Sequence, residues 1–462
     1  MRQIDSVLKR HFSDVLSAII ADRVHANIQN GIAVAYSGGL DSTVLLRLTI
    51  DFARERSLPV FAFHIHHGLS LNADNWLVHC QSFCKEEKIA FSAIKVDVNK
   101  VGKLGVEAAA RDERYRALGG LCAEKQLALI LTGHHQDDQA ETVLLQLLRG
   151  SGVAGLSGMD LFNYAPGLLG NSDVLLARPL LNQSKQALVD HATKNKMFFV
   201  EDESNLDSKF ARNALRLQVM PMLSRISHSY AERVVRSAQH MQSAKKLLNE
   251  LAQLDLAKFL IDDGLDLVQM RNLSHERVDN VLRFWLSSLQ VRMPSTARLS
   301  EMRKQLFEAR DDARITIHHD GIQIHRYKNK IMAEFQQLKD AEMIIPIEFA
   351  WNGDPVMHFP QFYGSLHFER SCFGVDALWL QKQKLSLRPR QGGERLRLAA
   401  NRPTRDIKSH FQTLKIPFWQ RSRLPILCAD EKLLHASLVG TEASFCQEGR
   451  TDLINIRWQA EI

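Results

Sequence analysis

Residues 34–43 read Val-Ala-Tyr-Ser-Gly-Gly-Leu-Asp-Ser-Thr, an apolar run that ends in Ser37-Gly38-Gly39-Leu40-Asp41-Ser42 and passes directly into the helical pattern Thr43-Val44-Leu45-Leu46-Arg47-Leu48. Two glycines let backbone amides crowd an anion, two serines add hydroxyl donors, and the helix that follows aims the positive end of its dipole at the same spot. The chemistry suits a phosphate group. No lysine follows the glycines, so the GxxxxGK[ST] loop of ordinary nucleoside triphosphatases is absent. Asp41 is then the group that would hold a divalent cation, Mg2+, against the phosphates.

A second constellation, Gly133-His134-His135-Gln136-Asp137-Asp138-Gln139-Ala140-Glu141-Thr142, concentrates carboxylates at the start of a helix predicted over 140–148. Asp138 and Glu141 are three apart, hence on one helix face with room for an ammonium group between them. Asp137 suits a metal or the helix end. Acids that merely complement a helix dipole are the plain alternative, and His134 and His135 before them make simple capping less sufficient. His64, His66 and His67 form a third cluster after a second strand. In an extended chain His66 and His67 point to opposite sides, so these imidazoles suit the base and ribose of a nucleotide better than a metal, while for His64 a lone histidine satisfied in a loop is the default alternative. Arg111 and Arg212 supply planar forks suited to phosphate.

Ser-Gly-Gly-x-Asp-Ser at this location resembles the pyrophosphate loop of the N-type ATP pyrophosphatases, which adenylate an oxygen of their substrate and release pyrophosphate. The resemblance narrows when His64-Ile65-His66-His67-Gly68-Leu69, Gly105-Val106-Glu107-Ala108-Ala109-Ala110-Arg111, the 133–142 segment, Arg149-Gly150-Ser151-Gly152, Asp202-Glu203-Ser204-Asn205 and Arg212-Asn213 are added in order. Together they are similar to the tRNA(Ile)-lysidine synthetases, densely over the first 216 residues and again near the C-terminus.

The resemblance implies that ATP adenylates O2 of the wobble cytidine in tRNA(Ile) with a CAU anticodon, after which free lysine displaces AMP at C2. With the residue readings above, the ATP-binding set is Ser37, Gly38, Gly39, Leu40, Asp41, Ser42, His64, His66 and His134, with Mg2+ at Asp41, and the resemblance also assigns lysine binding to Asp138 and Glu141. Asp41, Arg111, Asp138, Glu141 and Arg212 are the catalytic set. Arg388-Pro389-Arg390-Gln391-Gly392-Gly393-Glu394-Arg395 and Lys415-Ile416-Pro417-Phe418-Trp419-Gln420-Arg421 resemble the family's C-terminal tRNA-binding module, implying tRNA contacts by Arg388, Arg390, Arg395, Lys408, Lys415 and Arg421. Where the family pattern has consecutive lysines this chain has Asp406-Ile407-Lys408, a departure that puts one phosphate contact in doubt but not the module. The role of Glu201-Asp202-Glu203-Ser204-Asn205 is not legible from its spacing.

The elements that must position these groups follow from periodicity. Apolar runs at 32–36, 60–65, 89–96 and 127–132 alternate with amphipathic stretches such as Asp74 to Glu87 and Glu107 to Gln126, the rhythm of parallel strands with crossover helices. Each chemical motif sits where a strand has just ended, the ligand-binding edge of such sheets. The expected fold is α/β: a Rossmann-like parallel sheet carrying the pyrophosphate loop (1–217), a mainly helical linker domain (218–330) and a smaller mixed α+β C-terminal domain (331–462). Tyr230 to Phe259 and His275 to Leu289 read as long helices, a hairpin is expected around His319-Asp320, and a helix near Arg405 to Leu414.

Composition limits the partners. A chain of 462 residues exceeds what one core usually supports. Of the formal net charge of +7, the stretch from Gln381 to Pro425 carries +10, leaving −3 for the remainder. Interleaved with Phe411, Phe418 and Trp419, it favours RNA through phosphate contacts and exposed rings. The six cysteines form no CxxC pair, which argues against a zinc ribbon, a disulfide frame and the paired cysteines of a tRNA-thiolating relative. No apolar run approaches a membrane span, and the amphipathic N-terminal stretch carries Asp5 and Asp14 without a small-residue cleavage site, so a cytoplasmic location is expected. Oligomeric state is not legible, and a homodimer stays open. Two other readings remain: a pyrophosphate-loop synthetase acting on a free nucleotide, which leaves the basic stretch unexplained, and a non-catalytic RNA-binding protein.

Overall fold

The first strand, β1 (Ile32–Ala35), turns Ile32 and Val34 toward one layer of helices and Ala33 toward another, and this two-sided burial governs the N-terminal half. The computed structural model describes residues 2–23, 28–66, 68, 72–96, 106–201, 211–261, 264–310, 313, 315–335, 345–421 and 423–460. Within them the chain runs α1 (Arg2–Arg23), β1, α2 (Leu40–Arg56), β2 (Val60–His66), α3 (Ala73–Glu86), β3 (Ala90–Lys95), α4 (Val106–Glu124), β4 (Leu129–Leu131) and α5 (Gln136–Leu148). It continues through α6 (Val153–Leu156), β5 (Phe162–Tyr164), α7 (Pro166–Leu169), β6 (Leu175–Ala177) and α8 (Lys185–Lys194).

The sheet order is β3-β2-β1-β4-β6-β5, parallel except for β5, which runs antiparallel to β6. After β1 the chain moves outward through β2 and β3, then returns to the other side of β1 to form β4. That reversal opens a crevice at the carboxyl ends of β1 and β4, where a doubly wound sheet binds its ligand. Phe12 and Leu16 of α1, Leu45 and Leu48 of α2, Cys80 of α3 and Leu188 of α8 pack on the face presented by Val34 and Leu131. Tyr115, Leu118 and Leu121 of α4, with Leu169 of α7, cover Ala33, Phe63, Ile65 and Ile130 on the other.

The chain divides into two compact units, Met1–Lys258 with Ser274–Met293, and Phe259–Leu273 with Pro294–Ile462. In the first, the helices Tyr230–Phe259 and His275–Ser288 are joined by Arg277, whose Nε donates to the buried Asp255 at 3.1 Å. The second contains a five-stranded antiparallel sheet in the order Leu260–Ile261, Gly264–Asp266, Lys330–Phe335, Ile322–Tyr327, Ile315–His319. The expected hairpin is present, with Ile322 opposite His319. The stretch read as helical also supplies the strand Gly264–Asp266, which is too short for a period-2 signal to show in the sequence. A second five-stranded sheet and a three-stranded sheet, the latter built on the long pair Gly364–Asp376 and Cys446–Ala460, share a core that includes Trp351, Leu387, Phe411 and Trp458. Among the described residues no helix is long and apolar enough to cross a membrane.

Candidate active site and RNA-binding face

The turn after β1 is shaped by its own side chains. Ser42 Oγ donates to the Gly39 carbonyl at 3.0 Å and accepts from the Ser37 amide at 3.2 Å, while Thr43 Oγ1 donates to the same Gly39 carbonyl at 2.9 Å. Gly38 has φ +87°, and a Cβ there would lie 2.8 Å from Cys80 Sγ, so both backbone and space require glycine. Among the described residues no side chain caps α2, whose N-cap is Gly39, and its first amides remain available for an anion. A Cβ on Gly133 would stand 3.0 Å from the Asp41 carbonyl carbon, so the end of β4 touches the start of α2. Asp41 Oδ1 is buried there with no hydrogen-bond partner among the described residues.

The carboxylates of α5 adjoin that turn: His135 Nε2 lies 3.6 Å from Asp41 Oδ2 and 3.4 Å from Asp138 Oδ2. Helix α5 begins at Gln136, four residues earlier than its apolar pattern suggests, because His135 and Asp138 form a reciprocal cap: the His135 amide donates to Asp138 Oδ2 at 3.1 Å and the Asp138 amide to His135 Nδ1 at 3.4 Å. Asp137 Oδ2 accepts from the Lys185 amide at 2.9 Å and so anchors the first turn of α8. Asp138 and the almost fully buried Glu141 share one face, as their spacing predicts, and both are engaged by arginines. Arg212 Nε donates to Glu141 Oε2 at 2.7 Å and Arg216 Nε to Glu141 Oε1 at 2.6 Å, and their Nη2 groups reach Asp138 Oδ1 at 3.2 and 3.3 Å. Both arginines stand on a helical segment that passes from Ala211–Ala214 through a π turn at Leu215–Val219 into Met220–Ile226.

The turn and the start of α5 border a cavity of about 230 Å3 lined by Tyr36, Ser37, Gly39, Asp41, Phe63, Ile65, Arg114, Tyr115, His134 and Asp138. The expected pair His64 and His66 does not line it. Alternation along β2 sends Phe63 and Ile65 to the cavity and the two histidines to the other face, where His64 Nδ1 meets the Tyr36 carbonyl at 3.0 Å and His66 Nε2 meets Asp74 Oδ1 at 3.0 Å. His134 is on the wall, with Nδ1 2.9 Å from Thr132 Oγ1. Burial, reinforced by Arg178, Arg111, Arg212 and Arg114, drives its pKa far down and keeps it neutral. His135 is shifted the other way: burial opposes its charge, but hydrogen bonding to Asp41 and the fields of Asp138, Asp41 and Asp137 outweigh that and raise its pKa.

Arginine is denser here than the sequence suggested. Arg111 and Arg114 lie 5.3 and 5.4 Å from the Tyr115 ring, and it is Arg114 that reaches the cavity wall. Arg178, 5% exposed, donates to the Asp160 carbonyl and to Asn163 Oδ1 at 2.8 and 2.9 Å. Arg212, expected against phosphate, is held by the carboxylates. Arg114, Tyr115, Arg178 and Arg216 were missed. Arg114 and Arg216 follow Arg111 and Arg212 by three and four residues, the helical spacing that could have flagged them. His67, Gly105 and Asp202 to Asn205 lie outside the described residues.

In the C-terminal unit the predicted RNA contacts separate into two groups. Arg395, Lys408 and Lys415 are exposed. Arg388 and Arg390 are instead drawn to Glu394, and Arg421 Nε donates to the Ile416 carbonyl at 2.8 Å. The expected free rings are also occupied. Phe411 is buried, and Trp419 stacks on His325 at 3.9 Å between centroids and 7° between planes, with Phe418 and Tyr327 edge-on to it. A compact aromatic cluster excludes more water than rings left in solvent would.

Comparison with known proteins resolves the family. A PP-loop domain model matches residues 8–223, a TilS substrate binding domain model 265–332 and a TilS substrate C-terminal domain model 385–458. The tRNA(Ile)-lysidine synthase of Burkholderia pseudomallei (strain K96243) is 37% identical over 440 residues, covering 88% of each chain. The chain belongs to the tRNA(Ile)-lysidine synthase family. A tRNA(Ile)-lysidine synthase of Nitrosomonas europaea is 34% identical over 431 residues, covering 92% of this chain and 91% of its own, and one of Coxiella burnetii is 35% identical over 401 residues, covering 87% of each. In this family member the pyrophosphate-loop match contains the whole crevice, and the C-terminal match contains Arg388 through Arg421.

Proposed function

We propose that the protein joins lysine to C2 of the wobble cytidine of tRNA(Ile) with a CAU anticodon, consuming ATP and releasing pyrophosphate and AMP. The reading rests on one relationship: an uncapped helix start with a glycine turn and Asp138, which is backed by the buried Glu141, border a single crevice. The first feature binds phosphates and the second binds a cation, which are the needs of ATP and lysine. In the first step cytidine O2 attacks the α-phosphate and pyrophosphate leaves. The amides of α2, with Arg114 and its neighbours, stabilise the charge that builds on the phosphates. In the second step the amine of lysine adds at C2 and AMP departs with the former O2.

Free lysine has a side-chain pKa of ~10.4, so the site must both attract the ammonium and remove a proton from it. Asp138 lines the cavity and is the carboxylate placed to take that proton, while Glu141 behind it completes the cation site. Magnesium fits the residues present: it is usually held by one or two carboxylates together with substrate phosphates, and Asp41 Oδ1 offers an unsatisfied acceptor at the mouth of the turn. Bound there, the ion would supply charge neutralisation on the phosphates. The exposed Arg395, Arg402, Arg405, Lys408 and Lys415 supply the polyanion-binding face for tRNA.

The test is pyrophosphate release from ATP in the presence of lysine and an unmodified tRNA(Ile) transcript with a CAU anticodon. Release that needs both confirms the reading. Release without tRNA would make the protein a synthetase acting on a free nucleotide, and tRNA binding without turnover would make it a non-catalytic RNA-binding protein.

A further inference from the structure

The stretch from Gln381 to Pro425 contains only two acids, and the side chain of one of them, Glu394, accepts three hydrogen bonds. Glu394 Oε1 accepts from the Gln391 amide at 2.6 Å and from Arg388 Nη1 at 3.1 Å. Its Oε2 accepts from the Gly392 amide at 2.9 Å and lies 3.4 Å from Arg390 Nε. The Glu394 side chain is 8% exposed, and those of Arg388 and Arg390 are 18% and 21% exposed. Gly392 and Gly393 have φ of +93° and +81°, with open space where a Cβ would be. The left-handed backbone aims successive amides inward, a concave arrangement that elsewhere grips phosphate. Here the chain's own carboxylate fills it.

The other acid, Asp406, behaves differently. It is exposed and lies 3.9 Å from Arg395, opposite it in the two-stranded ladder of Arg395–Leu396 with Arg405–Asp406. Glu394 joins the two ends of the turn to that ladder, since its own carbonyl accepts from the Ile407 amide at 3.0 Å. Without its carboxylate, two guanidiniums on one short loop would repel each other and two inward amides would lose their acceptor.

We propose that Glu394 is a positioning residue for RNA binding: by engaging Arg388 and Arg390 it fixes the turn 388–394, so that the exposed Arg395 and Arg405 of the adjoining ladder present a single rigid phosphate-binding edge. The inference rests on the C-terminal unit being the tRNA-binding face. It carries a sign opposite to long-range electrostatics. Removing a negative charge from a basic surface should ordinarily tighten RNA binding and steepen its salt dependence, whereas loss of Glu394 weakens the one and flattens the other.

The experiment measures binding of the unmodified tRNA(Ile) transcript to the full-length protein over a range of KCl concentrations, for the wild type and for Glu394→Gln, Glu394→Asp and Arg395→Ala with Arg405→Ala. For Glu394→Gln the expected result is at least ~10-fold weaker binding and a log–log salt slope shallower by about 2. Hydrogen exchange should be faster at Gln391 and Gly392 and unchanged in the core strand Ile426–Ala429. Glu394→Asp retains the charge but is too short to reach both amides, and should lose about 3-fold. Binding of Glu394→Gln equal to or tighter than wild type overturns the proposal. If that variant instead loses protection throughout the unit, Glu394→Asp decides: wild-type affinity there overturns it. Should Arg395→Ala with Arg405→Ala leave affinity and slope untouched, the assignment of the RNA face itself fails, independently of Glu394.

Discussion

Glu141 accepts the Nε of Arg216 on one carboxylate oxygen at 2.6 Å and the Nε of Arg212 on the other at 2.7 Å. With Asp138 alongside, two negative charges meet two positive ones, and the cluster is neutral before any substrate arrives. A lysine ammonium entering this group adds an uncompensated charge unless one guanidinium withdraws. Arg212 and Arg216 are about equally exposed, at 25% and 29%, but Arg216 makes the additional bond from its Nη2 to Glu141 Oε2 at 2.9 Å, so its withdrawal frees more of the pair, and its backbone lies in a π turn, a wide-coiled segment frequent at functional sites.

Arg216→Gln should therefore lower the KM for lysine by about 5-fold, a gain of about 1 kcal/mol in binding, while Arg212 still balances Glu141. Lysine titration at saturating ATP and tRNA measures it. An unchanged or raised KM would show that Arg216 assists lysine rather than competing with it.

The carboxylates themselves carry the complementary expectation. Asp138→Asn or Glu141→Gln should raise the lysine KM at least ~10-fold while ATP binding, measured directly, survives. Lysine dependence equal to wild type in both variants would move the amino-acid site elsewhere.

Gly38 supports a third test. A non-glycine residue at φ +87° costs ~1–2 kcal/mol in backbone strain, and a Cβ would also press on Cys80 at 2.8 Å. Gly38→Ala should weaken ATP binding at least ~10-fold with only a modest drop in melting temperature, because the strain falls on the turn rather than on the sheet. Calorimetric ATP titration alongside a thermal melt separates the two effects.

The pH dependence of stability follows from His435, buried in the C-terminal core with Nδ1 3.0 Å from Thr441 Oγ1. Burial lowers its pKa from 6.5 to about 4. The unfolded chain therefore binds this proton more readily than the folded one: stability is intact above about 6.5, drains as pH falls, and levels off below about 4. At pH 5 the loss from this residue is about 2 kcal/mol. Denaturant unfolding at pH 7 and pH 5 measures the loss, and His435→Gln should reduce it; an identical pH dependence in the variant would rule out His435 as its source.

Much of this molecule is legible in one dimension. Strand–turn–helix order, the glycine turn at Ser37 to Ser42, the shared face of Asp138 and Glu141 and the local basicity of 381–425 depend on spacing and residue type alone, and β1, β2, the helices Tyr230–Phe259 and His275–Ser288 and the hairpin at His319 lie where periodicity places them. Tertiary structure decided which groups meet. His64 and His66 carry the right chemistry, but the pleat of β2 turns them away from the crevice and offers Phe63 and Ile65 instead. Trp419 was spent on His325, Arg388 and Arg390 on Glu394, and Arg212 on Glu141. Residue type states what a side chain is able to bind; which partner it takes depends on distances and burial between segments far apart in the chain, and those exist only once the chain has folded.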